Sequence, residues 1–456
     1  MNIKKKHFVI AALLVAFCWG CSSGPQRQQA LIKGKITVAD SVDTSHDYSG
    51  IGLTVIKKDS SNAKPDTLFT AVTDTTGSFS GTAVFGEQGQ YPLIVSRNDK
   101  NLGRIGILLA DKDTVTIEGQ LPSLDKTISI SSREHSAMQV YQRVNKSFQR
   151  IATYARAGKI KGDTLRKELQ KMSNLFWEVY QDKRGTIASD LAARQSVRLL
   201  QGWDNKEMMK RIRLVQDNDR LSNLAATYGK DYIAASQGLG PAIAYLDTLS
   251  NITEDPDKKM QISMERIKLL YDSARVDLAR QKLKAFKNQF SNNKTAKRWA
   301  KSISYDLNYL SPGDAIPDFQ FTENGKTISR DSLLGTPYIL EITKLSNRLY
   351  QNQFDRTVVI HSLYKSYGLQ VITIPLDTSQ VTINAFFDER VKPWPVAGAK
   401  AFKHKKLLDK FNIQLIPTRF LVDRNGKIVR KYVGNEYKDV IQGIQTIIKQ
   451  DKEPPS

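Results

Sequence analysis

The chain has 456 residues, a formal net charge of +22 at pH 7 and two cysteines. This length is sufficient for two or three domains, each with a core of its own. A strongly basic protein can bind nucleic acid, but here the basic residues are spread along the chain, and nucleic acid is not an expected partner. Cys18 and Cys21 both lie near the N-terminus, which excludes thiol chemistry at any later position.

The N-terminus has the pattern of an export signal. Residues 4–7 are basic, and residues 8–17 form an apolar run that is too short to cross a bilayer as a helix. The sequence Cys-Trp-Gly-Cys that follows resembles the end of a bacterial lipoprotein signal, in which a small residue precedes the cysteine that receives the lipid. This resemblance implies a signal peptide at residues 1–20 and lipid attachment at Cys21.

One alternative to lipid attachment at Cys21 remains open, an ordinary signal peptide cut nearby. Cleavage before Cys18 fits poorly, because it would place Phe17 where a small residue is expected. Cys18 and Cys21 also have the spacing of a redox pair. We reject that interpretation because no strand precedes the pair and no helix follows it, and because the pair lies at the end of the export signal.

Residues 21–29 are polar and predict a tether between the lipid and the fold. No run of acidic residues follows Cys21, and such runs export some lipoproteins to the cell surface. The expected location is therefore the cell envelope, with the chain lipid-anchored to the outer membrane and facing the periplasm. The membrane is an expected partner only through this anchor.

Residues 30–130 predict a β-domain. Short runs such as residues 52–56 are rich in β-branched residues and are bounded by turn residues. Residues 70–81, with a turn at residues 74–77, form a candidate hairpin. The spacing of the runs favours a small antiparallel β-sandwich.

Residues 135–308 predict a central α-helical region, because apolar residues such as Val140, Val144 and Phe148 recur at helical spacing. The densest basic group of the chain lies near the end of this region. Its members are Lys282, Lys284, Lys287, Lys294, Lys297, Arg298 and Lys301. This group is either the solvated face of a helix or a surface that contacts anionic lipid headgroups or another acidic envelope surface.

Residues 312–450 carry the clearest motifs. Residues 338–342 and 370–375 are continuous apolar runs, as expected of strands buried on both faces of a sheet. In residues 416–428, Ile-Pro-Thr is followed by an apolar strand and a glycine turn. These motifs resemble the TlpA/ResA-type membrane-anchored thioredoxins. The resemblance implies an α/β thioredoxin-like fold with a cis peptide bond before Pro417.

The β-domain carries a second resemblance. Its short motifs at residues 34–36, 77–79 and 113–115 are similar to an uncharacterised β-domain that precedes thioredoxin domains in many Gram-negative lipoproteins. Together these patterns predict a multidomain α+β protein. It would comprise an N-terminal β-sandwich, a central α-helical region and a C-terminal α/β thioredoxin-like fold.

The expected redox site departs from the pattern of the family. The two cysteines of such a site should follow the strand at residues 338–342, at the start of the next helix, where the helix dipole lowers the pKa of a thiol. Counting from that strand, the two positions fall near Asn347 and Tyr350, with Arg348 between them. Neither an amide nor a phenol can supply thiolate chemistry.

Other chemistry is weakly represented in the sequence. The histidines His46, His135, His361 and His404 are isolated, and no cluster of cysteine and histidine is present. No phosphate-binding glycine loop, nucleophile elbow or convincing pair of carboxylates occurs. We therefore expect no cofactor and no metal.

Two functions are compatible with these observations. The first is a redox-inactive protein that binds a periplasmic protein or an extended peptide beside the proline strand, a form of strand pairing. Ile416, Pro417 and Thr418 would supply the backbone edge, and Asn347 and Tyr350 would line the floor. In a variant of this hypothesis, the fold is only a packing module and binding lies on the other domains. The second function is a thiol-disulfide oxidoreductase of the TlpA/ResA type.

Overall fold

The computed structural model describes residues 27–57, 65–98, 100–218, 220–388, 390 and 392–450. The chain divides into two compact units, Met1–Arg211 and Ile212–Ser456. The expected signal peptide at residues 1–20, the lipid site Cys21 and most of the expected tether lie outside the described residues.

The first unit begins with eight strands and one short helix. They are β1 (Gln28–Val38), β2 (Ile51–Lys57), β3 (Asp66–Val72), β4 (Ser78–Phe85), β5 (Gly89–Arg97), β6 (Lys100–Leu109), β7 (Thr114–Leu121), α1 (Leu124–Thr127) and β8 (Ser129–Ser131). They form two four-stranded sheets, with the strand orders β4-β1-β7-β8 and β3-β2-β5-β6. Apolar side chains of both sheets share one core.

The pairing of these strands corrects two expectations. The turn at residues 74–77 is present, since Asp74 N–H donates to the Ser78 carbonyl at 2.9 Å. The candidate hairpin is wrong, however, because β3 pairs with β2 whereas β4 pairs with β1. The sheets are also not purely antiparallel, since β1 and β7 run parallel.

Gly34 allows the close approach of β1 to β7. A Cβ atom at this position would lie 1.7 Å from the carbonyl oxygen of Ile117, which is its partner on β7. Side chains on either side of Gly34 alternate, with Ile32 and Ile36 buried and Lys33 and Lys35 exposed. This alternation directs one face of β1 into the shared core.

Helices occupy the middle of the chain. In the first unit they are α2 (Arg133–Arg156), α3 (Gly162–Asp182) and α4 (Ile187–Leu200), and α5 (Asn205–Val215) spans the division between the units. The second unit continues with α6 (Ser222–Leu224), a π-helical turn (Ala225–Gly229), α7 (Lys230–Gln237), α8 (Leu239–Ile252), α9 (Pro256–Asp272), α10 (Val276–Gln289) and α11 (Lys294–Tyr309). The helical residues are therefore shared between the two units, and a separate helical domain at residues 135–308 stays a prediction.

The rest of the second unit is an α/β structure. Its elements are β9 (Gln320–Glu323), β10 (Lys326–Ser329), β11 (Tyr338–Thr343), α12 (Arg348–Tyr364), β12 (Gln370–Pro375), α13 (Gln380–Asp388), α14 (His404–Lys410), β13 (Thr418–Val422), β14 (Ile428–Val433) and α15 (Val440–Gln450). Four strands form a sheet with the order β12-β11-β13-β14. β11 is parallel to β12 and antiparallel to β13, which is antiparallel to β14.

This sheet is buried on both faces. Along β11, Leu340 belongs to one apolar core and Ile339 belongs to the other. All six residues of β11 are buried, which explains why the strand is mainly apolar and shows no alternation, with Glu341 as its one charged residue. The protein is thus a mixed α/β molecule of more than one unit. None of the helices in the described part of the chain is long and apolar enough to span a membrane.

Candidate functional site

Asn347 caps the helix that begins at the expected redox position. The backbone passes from β11 through residues 344–347 into α12, and the Oδ1 atom of Asn347 accepts a hydrogen bond from the backbone N–H of Tyr350 at 3.0 Å. Asparagine is among the preferred residues at this position because its side chain satisfies an amide that the helix leaves unpaired. The side chain at the first expected cysteine position is therefore already engaged in starting the helix.

A proline loop lies beside this helix start. The peptide bond between Ile416 and Pro417 is cis, and Thr418 opens β13. The Nδ2 atom of Asn347 donates to the carbonyl oxygen of Ile416 at 3.4 Å, and the Thr418 hydroxyl donates to the carbonyl oxygen of Leu415 at 2.6 Å. The fold thus brings Asn347, Ile416, Pro417 and Thr418 to one place, although they are about seventy positions apart in the sequence.

Tyr350 does not line an open floor, which differs from the expectation. Its side chain is fully buried, and its hydroxyl donates to Oε2 of Glu341 at 3.2 Å. Burial and the Glu341 carboxylate raise the pKa of the Tyr350 hydroxyl well above its ordinary value, so that it remains a donor. The physical reason is position, because the third residue after the cap of α12 points towards the sheet and not towards solvent.

A buried ion pair lies beneath the site, and sequence reasoning missed it. Nε of Arg419 donates to Oε1 of Glu341 at 2.6 Å, and both side chains are essentially inaccessible to solvent, at 1% and 0% exposure. The two residues are direct partners in the antiparallel pairing of β11 with β13. The sequence did contain a signal for this pair, since the apolar runs that form β11 and β13 each contain one charged residue, Glu341 and Arg419, of opposite sign.

Further hydrogen bonds tie this pair to the surrounding elements. Oε2 of Glu341 also accepts from the Thr373 hydroxyl at 2.9 Å, and Nη1 of Arg419 donates to Oε1 of Gln353 on α12 at 2.7 Å. The guanidinium carbon of Arg419 lies 3.9 Å from the ring centroid of Tyr437, a cation–π contact. The network links three strands and α12 directly below the proline loop.

The surface of the site is apolar at one point and basic at two. The side chain of Leu415 is 66% exposed. Lys344 and Arg348 are exposed, and neither forms an ion pair among the described residues. Within the same part of the chain, the backbone N–H of Ile416 has no acceptor. An unpaired amide beside an exposed leucine can serve as a point of attachment for an extended chain.

The site offers no groups for metal binding. In the described ranges, no group of three or more histidine, cysteine, aspartate or glutamate side chains could hold an ion. Two of the histidines have structural contacts: Nε2 of His135 accepts from the backbone N–H of Leu108 at 3.3 Å, and the ring of His361 packs edge-on against Trp394 at 5.6 Å.

The strand order, the parallel β11–β12 pair and the proline loop together define a thioredoxin-like fold. The chain is 24% identical over 139 residues to the thiol-disulfide oxidoreductase ResA of Bacillus anthracis, a match that covers 30% of this chain and 79% of that protein. It is 23% identical over 141 residues to ResA of Bacillus subtilis (strain 168), with 31% and 77% coverage.

Solved structures and family models were also compared with the chain. A thiol:disulfide interchange protein from Chlorobium tepidum TLS is 21% identical, covers 30% of this chain and 97% of its own, and has a TM-score of 0.27. No family model matches the chain. The similarity to ResA therefore covers about 30% of the chain.

Proposed function

We propose that this protein is a redox-inactive, thioredoxin-like protein of the cell envelope that binds an extended segment of a periplasmic protein or peptide at the proline loop. The observation that carries the proposal is the contact between Asn347 and Ile416. An amide caps the helix and touches the proline loop where a reactive thiol would be required. The Ile416 N–H and the exposed Leu415 would then receive the bound segment.

The remaining parts of the chain belong to the same proposal. Residues 30–130 would form a β-sandwich, residues 135–308 a helical domain, and Cys21 a lipid anchor in the outer membrane that leaves the protein facing the periplasm.

Replacement of Cys21 by serine tests the anchor. We expect the variant to move from the detergent phase to the aqueous phase on phase partitioning, and retention in the detergent phase would contradict lipid attachment at this residue.

Binding at the proline loop predicts a position-specific crosslink in intact cells. A photoreactive residue at position 415 should give an adduct with a second protein, because the Leu415 side chain is exposed beside the unpaired Ile416 amide. Leu363 provides a matched control, since it is 64% exposed and lies on α12 about 24 Å along the helix axis from Asn347. Adducts of equal yield at both positions would contradict specific binding at the loop.

The affinity of the captured partner gives a second measurement. We expect Leu415→Asp to weaken binding of a peptide from the crosslinked segment by about tenfold or more, which corresponds to about 1.4 kcal/mol. Leu363→Asp should leave the affinity unchanged. Equal affinities of the two variants would show that the peptide binds elsewhere, as the packing-module hypothesis requires.

A second candidate function is favoured by one observation, the similarity to ResA-type thiol-disulfide oxidoreductases. This function requires a thiol that attacks a disulfide, and the sequence contains no cysteine after Cys21. Insulin reduction by the chain from Ser22 onward separates the two functions. We expect no turnover above a thiol-only blank, and turnover above it would establish the second function.

A further inference from the structure

The helices α10 and α11 carry the densest positive charge of the chain, and their acidic residues, Asp277 and Asp306, lie only near the start of α10 and the end of α11. Between Asp277 and Asp306 the sequence contains no aspartate and no glutamate, although it contains all seven members of the basic group described above. Solvated helix faces usually alternate charges of both signs, because pairs of opposite charge three or four positions apart stabilise a helix. Like charges at this spacing are destabilising.

The cations of this face are exposed and have no ion-pair partner. The exposed members are Lys284, Lys287, Lys294, Lys297, Arg298 and Lys301. No ion pair involving any of them occurs in the described residues. Arg280 on the same helix differs, since it pairs with Asp277 at 3.2 Å and donates to the carbonyl oxygen of Leu307 at 2.7 Å. We call these six exposed residues the basic face.

The basic face lies on two helices that pack into an apolar core. Leu283 and Phe286 of α10 and Ala300 and Ile303 of α11 lie in one apolar core, and the ring of Phe286 packs against Trp299 at 5.1 Å. At the other end of α11, the Tyr305 hydroxyl donates to the carbonyl oxygen of Lys410 at 3.2 Å. The cations therefore project from helices whose opposite sides are packed.

The spacing on α11 places its cations in one stripe. Lys294, Arg298 and Lys301 are related by four and then three positions, and Lys297 lies four positions before Lys301. At 3.6 residues per turn, these four residues fall within about 100° of the helix circumference. Leu278 and Tyr309 expose large apolar side chains on these helices, at 49% and 60%, but both lie near helix ends, outside the run of exposed cations at residues 284–301. Between Ala279 and Asn308 no large apolar side chain is exposed, so the stripe itself has no apolar anchor of the kind that dominates protein–protein interfaces.

We propose that the basic face binds the phosphate groups of anionic lipid headgroups at a membrane surface. A dense layer of phosphates complements several exposed cations that have no ion-pair partner among the described residues and no apolar pocket beside them there. Binding of this kind depends on the number of charges rather than on the fit of one residue, and it weakens as salt is added. The inference is independent of peptide binding at the proline loop and does not require lipid at Cys21.

The test uses the chain from Ser22 onward, which retains every residue that the structure describes. We expect it to cosediment with vesicles of equal parts phosphatidylglycerol and phosphatidylcholine but not with vesicles of phosphatidylcholine alone. Raising the salt from about 0.05 M to about 0.5 M should abolish binding. The variant Lys294→Gln/Lys297→Gln/Lys301→Gln should bind on the order of 100-fold more weakly.

A matched variant controls for the change in net charge. Lys403→Gln/Lys405→Gln/Lys406→Gln removes three exposed cations of α14 and the residue before it, and should bind as the parent chain does. If the first variant unfolds, the second set Lys284→Gln/Lys287→Gln/Arg298→Gln replaces it. Equal losses in the basic-face and control variants would overturn the proposal.

Two further results would also overturn it. One is equal binding to both kinds of vesicle, which would exclude recognition of anionic headgroups. The other is binding to a soluble acidic protein or to inorganic phosphate without binding to the anionic vesicles. Free glycerol phosphate is included as a competitor, and we expect it to leave vesicle binding unchanged at millimolar concentration, because the stripe has no pocket for a single phosphate.

Discussion

Replacing Glu341 by leucine is expected to lower the free energy of unfolding of the second unit by about 3–5 kcal/mol. The change leaves the Arg419 guanidinium charged, buried and without its carboxylate partner. Arginine cannot escape this cost by losing its proton. Nη2 of Arg419 has no hydrogen-bond partner among the described residues of the intact protein, while the Gln353 amide and the Tyr437 ring would continue to support the guanidinium. Urea unfolding tests this expectation, with the free energy of unfolding obtained from the midpoint and the slope of the transition.

The double variant Glu341→Leu/Arg419→Met distinguishes the cost of leaving Arg419 without its partner from the cost of removing the whole ion pair. Replacing a buried ion pair by apolar residues of similar volume is often neutral, although Tyr350 and Thr373 lose an acceptor here. We expect the double variant to regain at least about 2 kcal/mol over the single variant. Ile339→Val controls for ordinary core disruption in the same strand and should cost about 1 kcal/mol. A single variant no worse than this control would contradict the role of the pair.

Replacing Asp306 by alanine is expected to destabilise the second unit by about 3 kcal/mol near neutral pH. Asp306 on α11 accepts hydrogen bonds from Nζ of Lys431 on β14 at 2.8 Å and from Nδ2 of Asn412 at 2.8 Å. The Lys431 and Asp306 side chains are only 5% and 11% exposed. The replacement therefore leaves a buried ammonium group and a buried amide without their carboxylate, and loosens α11 from the edge strand of the sheet.

The Asp306 variant should also have its own pH dependence. Burial lowers the pKa of Lys431 from its ordinary value, and Asp306 opposes this effect. Without Asp306 the folded-state pKa falls further, while the unfolded-state value remains about 10.4. The unfolded chain then binds more protons, so the stability of the variant should rise with pH up to about 10 and should rise more steeply than that of the parent chain.

A second substitution controls for this effect. In Asp306→Ala/Lys431→Met the titrating group is absent, and we expect the additional pH dependence to disappear. Thermal unfolding at a series of pH values provides the measurement. Parallel pH profiles for Asp306→Ala and the parent chain would show that Lys431 does not carry its charge in the folded protein.

The motifs of the C-terminal part predicted its strands well. The expected strand at residues 370–375 coincides with β12, and the expected strand at residues 338–342 is one residue shorter than β11. Continuous apolar runs of this length have few alternatives in a sheet covered on both faces. Counting from β11 placed Asn347 at the start of α12, because only residues 344–347 separate the strand from the helix.

The strand partners in the first unit could not be predicted from local patterns. A turn at residues 74–77 was correct, yet β3 and β4 belong to different sheets. A turn is determined by a few neighbouring residues, whereas the partner of a strand depends on the packing of whole sheets against each other. The orientation of Tyr350 was missed for a related reason, since burial depends on which side of α12 meets the sheet.

The amino-acid sequence by itself determined the thioredoxin-like course of the last third of the chain and the absence of a cysteine after Cys21. Both depend on local composition and on the spacing of buried strands. Only the tertiary structure decided that Glu341 meets Arg419 and that Asp306 meets Lys431, which is 125 positions away. Such pairs depend on register and packing between distant segments, and a charge within an apolar run does not indicate its partner.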